Sequence, residues 1–274
     1  MTINILCVGD VVGKPGRNML AGHLANLIAD RNIDLVVVNA ENAAGGSGLT
    51  PQMFKKMRHH GVDVVTMGDH VYRKNDLIPL LKQSDRIVRP ANLSARAAGR
   101  TWTVVPTKSA STEVAVVSIL GQMFMGCNNS PWDAAARVLA EIPPQVKIRV
   151  VDFHAEASSE KIAMGWYLDG RASIVFGTHT HIPTADGRIL NRGTAHVSDL
   201  GMTGPYDSVL GRRKDRVLSA LTTSMPERFD IAEDDLRLCG ALVAVDADTG
   251  RAQSIERIEV METDQSEEQS GSDQ

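Results

Sequence analysis

What most limits the fold of this chain is a series of short, nearly all-apolar runs, each ended by polar residues. Asp34-Leu-Val-Val-Val-Asn39 is the clearest, and Val62–Met67, Glu113–Leu120, Lys147–Asp152 and Ala172–Phe176 are built alike. A strand that is apolar at successive positions shows carbon to both faces and has to be covered on both. Between the runs lie segments of helical spacing. Met19, Leu20, Leu24, Leu27 and Ile28 mark one over Arg17–Asp30, and Pro131–Glu141 and Ser158–Tyr167 are two more. Strands alternating with helices give an α/β fold with a parallel or mixed sheet and right-handed crossovers. Leu236–Asp246 and Ala252–Val260 read as a terminal hairpin.

Charge excludes one class of function. The formal net charge is -4, but the tail Glu262–Gln274 holds five acids and no base, so the body sits near +1. That is no footprint for an extended nucleic acid. The tail lacks apolar residues for a core and reads as a disordered acidic extension of a single domain, residues 1–261. Three widely spaced cysteines, with Cys7 inside a strand pattern and Cys127 read as packing, suit a reducing compartment. No apolar run reaches transmembrane length, so a cytoplasmic protein without membrane contact is expected. The segment Gly9-Asp-Val-Val-Gly-Lys-Pro-Gly16 is one residue too short for a P-loop, and Pro15 stands where Ser or Thr would hold magnesium.

The chemistry collects at strand ends, where open α/β sheets bind ligands. Asp10 follows the first strand, Glu41 and Asn42 the second, and Asp69 and His70 the third. His154 lies just past Lys147–Asp152, and His179 and His181 just past Ala172–Phe176, where Gly177 is expected to break the strand. In extended backbone, residues i and i+2 point the same way, so both imidazoles could face one site. A lone His-x-His is as readily a solvated loop. Three histidines beside acids at three other strand ends are harder to explain as turn chemistry. Carboxylate and imidazole donors suit manganese, iron or zinc. Seven or eight donors exceed one tetrahedral ion but suit two ions, roughly 3.5–4 Å apart, that hold a hydroxide nucleophile against a phosphorus centre.

In order along the chain, Gly9-Asp10, Asn39-Ala-Glu41-Asn42-Ala-Ala-Gly-Gly, Gly68-Asp69-His70, Phe153-His154-Ala-Glu-Ala-Ser-Ser-Glu-Lys161 and Gly177-Thr-His179-Thr-His181-Ile-Pro-Thr-Ala-Asp186 resemble the calcineurin-like metallophosphoesterases. More closely, the chain is similar to their YmdB-like branch of bacterial dinuclear phosphodiesterases. The resemblance implies a four-layer α/β/β/α sandwich, two iron or manganese ions, hydrolysis of small phosphodiesters such as 2′,3′-cyclic nucleotides, and a homo-oligomer. It implies that Asp10, Glu41, Asn42 and His181 hold one ion, with Glu41 bridging, and that Asp69, His154 and His179 hold the other. His70 would be the proton donor to the leaving oxygen. The family pattern has Gly-Asn-His where this chain has Gly68-Asp69-His70. The extra carboxylate is expected to tighten metal binding and to make metal-held water less acidic. A regulatory or scaffold protein with a slow metal site is the alternative. Selectivity is expected in the loops Ala95–Ser111 and Gly121–Ser130. Arg212, Arg213, Lys214 and Arg216 are expected on a solvated face of a helix over Leu210–Leu221, and His23, His59 and His60 are expected in solvent.

Overall fold

A computed structural model describes residues 1–108, 112–126 and 129–262. Cys127 and nearly all of the acidic tail lie outside the described residues.

Two mixed sheets face each other. The first contains β1 (Thr2–Val8), β2 (Asp10–Val11), β3 (Leu35–Asn39), β4 (Val64–Thr66), β5 (Ile87–Val88), β12 (Met202–Pro205), β13 (Leu236–Asp246) and β14 (Ala252–Met261). The second contains β6 (Trp102–Pro106), β7 (Glu113–Leu120), β8 (Ile148–His154), β9 (Ile174–Thr178), β10 (Arg188–Ile189) and β11 (Ala195–Val197). The first sheet runs β2-β12-β13-β1-β3-β4-β5, with β14 beside β13, and the second runs β10-β11-β9-β8-β7-β6. The helices are α1 (Gly13–Asp30), α2 (Pro51–His59), α3 (Ile78–Gln83), α4 (Pro131–Glu141), α5 (Ser158–Leu168) and α6 (Lys214–Thr223).

The side-chain period of two sorts the apolar runs into layers. In β3, Leu35 and Val37 enter the core between the sheets, while Val36 and Val38 pack under α1 and α2 against Leu20, Leu24, Phe54 and Met57. In β8, Ile148 and Val150 face between the sheets, and Val151 and Phe153 meet α4 and α5 through Val138, Met164 and Leu168. The result is helix layer, sheet, sheet, helix layer. This is the expected four-layer α/β/β/α sandwich, and it explains why the strands are apolar on both faces.

The same alternation places the site. The inward row Leu35, Val37 continues to Asn39, the row beginning at Val64 continues to Thr66, Ile148 and Val150 to Asp152 and His154, and Ile174 and Phe176 to Thr178. The layer between the sheets is therefore apolar along most of its depth and polar at one end. Asn39, Thr66, Asp152, His154 and Thr178 are buried there.

Several expected boundaries move. His154 is the last residue of β8 rather than a loop residue beyond it. Gly177 lies inside β9, and its role is close approach: a Cβ there would stand 1.7 Å from the Ser198 carbonyl oxygen. The helix expected over Leu210–Leu221 begins at Lys214, which leaves Arg212 in the loop before it. His23 is buried on α1 instead of solvated.

Candidate metal centre

Asp10 opens β2, Glu41 and Asn42 follow β3, Asp69 and His70 follow β4, His154 ends β8, and His179 and His181 follow β9. Glu41, Asp69, His154 and His179 each offer a donor atom, and the four atoms lie within 4.8 Å of one another. At their centre His154 Nε2 stands 3.2 Å from Glu41 Oε1, 3.1 Å from Asp69 Oδ1 and 3.0 Å from His179 Nδ1. Asp10, Asn42 and His181 form an adjoining group. Asn42 Nδ2 donates toward His181 Nε2 at 3.1 Å and Asp10 Oδ1 at 3.4 Å, and Glu41 Oε1 joins them at 3.4 Å. His70 lies across both, its Nδ1 2.8 Å from Asn42 Oδ1 and 3.1 Å from Glu41 Oε1.

Hydrogen bonds behind the cluster decide which nitrogens are bare. The Thr178 hydroxyl donates to Asp152 Oδ1 at 2.6 Å, so its oxygen accepts from His154 Nδ1 at 2.8 Å. That assigns a proton to Nδ1 and turns Nε2 toward the carboxylates. Asp152 also accepts from Asn39 Nδ2 at 2.9 Å and Thr66 Oγ1 at 2.5 Å. Burial pushes its pKa up to about 6 despite His154 and these donors. His181 Nδ1 donates to the Leu210 carbonyl at 3.0 Å, which leaves its Nε2 bare toward Asn42 and Asp10.

The His-x-His loop does not follow strand alternation. His179 and His181 have φ of 96° and 64°, left-handed values that cost about 1–3 kcal/mol for residues with a Cβ and have to be held from outside. Asp199 holds them. It accepts the Thr180 backbone N–H at 3.2 Å and the Thr180 hydroxyl at 2.7 Å, and is itself paired with Lys161 at 2.5 Å. Asp10 Oδ2 accepts the His179 N–H at 3.0 Å. The two imidazoles accordingly serve different groups instead of one shared site.

The donor set fits cations. Three carboxylates, two of them fully buried, meet three imidazoles without a lysine or arginine among them. Burial disfavours the Glu41 charge, yet His154 and His70 hold its pKa well below the usual range. Against the same burial, Glu41 and Asp69 push His154 well above its usual value, so its Nε2 sits where positive charge, a proton or a metal ion, is favoured. Burial and then His154 push His179 down to about 4, which leaves a lone pair at neutral pH. Gly68 keeps this space clear, since a Cβ would stand 2.3 Å from Glu41 Oε2 and 2.4 Å from His154 Nε2. Above the cluster is a cavity of about 290 Å³, with Glu41, Asn42, His70, His179 and His181 as its floor and Val12, Gly46, Glu156, Leu210 and Arg212 among its walls.

The profile of the YmdB-like protein family matches residues 6–258. The chain belongs to the YmdB-like family. A 2′,3′-cyclic-nucleotide 2′-phosphodiesterase of Bacillus subtilis (strain 168) is 41% identical over 256 residues, 93% of this chain and 96% of that protein. A phosphatase of Mycoplasma pneumoniae has the same fold with a TM-score of 0.88 and 31% identity, covering 95% of this chain and 94% of its own. A 5′-nucleotidase of Candida albicans, at 14% identity and a TM-score of 0.56 over 94% of this chain and 52% of that one, shares the architecture alone.

This YmdB-like site also contains residues that sequence reasoning did not single out. Asp152 precedes His154 by two inside an apolar run, and an acid on the same strand face as a histidine was the available signal. Lys161 and Asp199 are far apart in sequence, and nothing in their spacing marks them as a pair. The loops Ala95–Ser111 and Gly121–Ser130, expected to set selectivity, do not line the cavity among the described residues; residues 109–111 and 127–128 lie outside that description. Gly46, Leu210 and Arg212 line the cavity instead.

Proposed function

We propose that this chain is a dinuclear metal-dependent phosphodiesterase acting on small phosphodiesters such as 2′,3′-cyclic nucleotides. The observation that carries the reading is the convergence of three carboxylates and three imidazoles from two facing sheets on one cluster, of which Glu41, His179 and His181 line a small cavity. Asp10, Glu41, Asn42 and His181 would hold one ion, and Glu41, Asp69, His154 and His179 the other. Iron or manganese suits these donors best, with zinc a third candidate. Bound there, the ions supply Lewis-acid polarisation of the phosphoryl group and activation of a water.

The chain's own residues do the rest. Asn39, Thr66 and Thr178 fix Asp152, and through Thr178 the His154 ring. His70 gives up Nδ1 to Asn42 and Glu41, and Nε2, 3.5 Å from Asp69 Oδ2, is the nitrogen that would deliver a proton to the leaving oxygen. Glu41 and then Asp69 raise the His70 pKa against its partial burial, which favours the protonated form this role needs. A cavity of about 290 Å³ is at the lower end of small-molecule sites and supports a small substrate over a long strand.

The test is elemental analysis of metal-reconstituted protein, paired with hydrolysis of 2′,3′-cyclic AMP and bis-p-nitrophenyl phosphate. About two ions per chain with turnover is expected, along with a loss of about 10²–10⁴-fold in rate for His70→Ala at unchanged metal content. Full loading with iron or manganese but no turnover would overturn the enzyme reading.

A further inference from the structure

Of the four bases between residues 212 and 216, three are neutralised. Arg213 pairs with Asp215 at 2.8 Å, Lys214 with Asp207 at 2.5 Å and Arg216 with Glu227 at 3.2 Å. Arg212 is different. Among the described residues no carboxylate forms an ion pair with it, and three backbone carbonyls hold it instead. Nη1 donates to Gly45 O at 3.3 Å and to Phe229 O at 3.0 Å, and Nη2 donates to Gly46 O at 2.8 Å. Carbonyls fix the plane of the guanidinium without neutralising it, and Asp230 acts on its charge only from beyond ion-pair distance.

The seat is built for this side chain. A Cβ on Gly46 would stand 2.4 Å from Nη2 and 2.5 Å from Cζ, so the guanidinium lies close against Gly46, whose φ of 83° itself favours glycine. Arg212 is partly buried and walls the same cavity that Glu41, Asn42, His179 and His181 line. A guanidinium has five N–H donors. Three are committed to carbonyls, and two remain.

We propose that Arg212 anchors the substrate, its two uncommitted N–H groups gripping the anionic phosphoryl oxygens of the phosphodiester. This rests on the phosphodiesterase reading above. A pre-oriented guanidinium held by carbonyls rather than by a carboxylate on the wall of a small cavity attracts and aligns a phosphate, and charge-assisted bonds of this kind are about twice as strong as neutral ones. Arg212 takes no part in the bond-making; it holds the substrate in place.

The experiment compares the parent with Arg212→Ala, Arg212→Lys and Arg212→Gln on metal-loaded protein. Steady-state kinetics on 2′,3′-cyclic AMP are paired with calorimetric binding of inorganic phosphate and with metal analysis. Removing the anchor is expected to raise KM and the phosphate dissociation constant by about 10- to 100-fold, with kcat within a few-fold and metal content unchanged. Lys should fall between parent and Gln, because it restores the charge without the fork. Arg213→Ala, which loses only an exposed pair, should match the parent. Unchanged phosphate affinity in all three Arg212 variants would overturn the proposal. So would a KM rise that tracks metal loss, which would make Arg212 a staple for the loop next to Glu41 and Asn42. Should the Ala variant fail to fold, Lys and Gln still decide the matter. If the parent hydrolyses no phosphodiester, the enzyme reading fails on that result alone, and phosphate calorimetry still reports on Arg212.

Discussion

Lys161→Met removes the cation behind Asp199, the anchor of the loop that carries His179 and His181. Lys161 and Asp199 are 2% and 1% exposed, and their charged atoms stand 2.5 Å apart. Methionine fills the lysine stem's volume and leaves the Asp199 carboxylate buried without its cation. Breaking a buried pair in this way costs about 3–5 kcal/mol. Asp199 keeps three donors, the Thr180 N–H and hydroxyl and the Gly201 N–H at 2.8 Å, so the low end applies, about 3 kcal/mol. For a domain of this size that lowers the melting temperature by about 6–12 °C. The measurement is thermal unfolding followed by circular dichroism on chelator-treated protein, so that metal linkage does not enter. Lys161→Met combined with Asp199→Asn removes the stranded charge and should recover part of the loss, a coupling read from the double-mutant cycle. Metal retention should fall with the single variant, because Thr180 sits between the two left-handed histidines. If Lys161→Met melts within 2 °C of the parent, or the double variant is no better than the single, the pair does not carry the loop.

Three further changes probe neighbouring links. Asp152→Asn puts an amide N–H₂ where Asn39, Thr66 and Thr178 all donate, so it should weaken metal affinity by about 10–100-fold, measured by competition with a chromophoric chelator. Equal affinity in parent and variant would show that the His154 tautomer is set elsewhere. Gly177→Ala forces a methyl into the Ser198 carbonyl and should destabilise by about 3 kcal/mol or more, read from urea unfolding. Asp69→Asn removes a carboxylate 3.1 Å from His154 Nε2 and should loosen the metal and change the hydrolysis rate; no change in either would discard the idea that the extra charge matters.

Much of this architecture was legible in the chain because period-two alternation in doubly apolar strands has one physical solution, a sheet covered on both sides. That logic yielded the strands, most helices and the strand ends where polar residues cluster. It failed where long-range contacts set the backbone. Gly177 looks like a strand terminator until the Ser198 carbonyl is placed against it. His179 and His181 look like neighbours on one extended face until Asp199, eighteen residues beyond His181, bends the loop. Arg212 looks like one more base on a solvated helix until α6 is seen to start two residues later and the glycine loop at 45–46 closes on it.

These failures share a cause that also explains the site. Two of the imidazoles turn Nε2 toward the cluster because the fold has placed a second group on the other ring nitrogen. Thr178 and Asp152 do this for His154, and the Leu210 carbonyl for His181. A sequence shows which side chains can bind a cation, but not which lone pair is left over once the fold has satisfied its own donors. In this protein that selection happens at the polar end of the layer between the sheets, where the inward rows of β3, β4, β8 and β9 stop burying carbon. The cluster of carboxylates and imidazoles is held together because the apolar depth below it supplies the stability and the anchors behind it fix the His154 and His181 rings. Removing an anchor should therefore disturb the metal centre as surely as removing a ligand, while leaving every ligand in the chain.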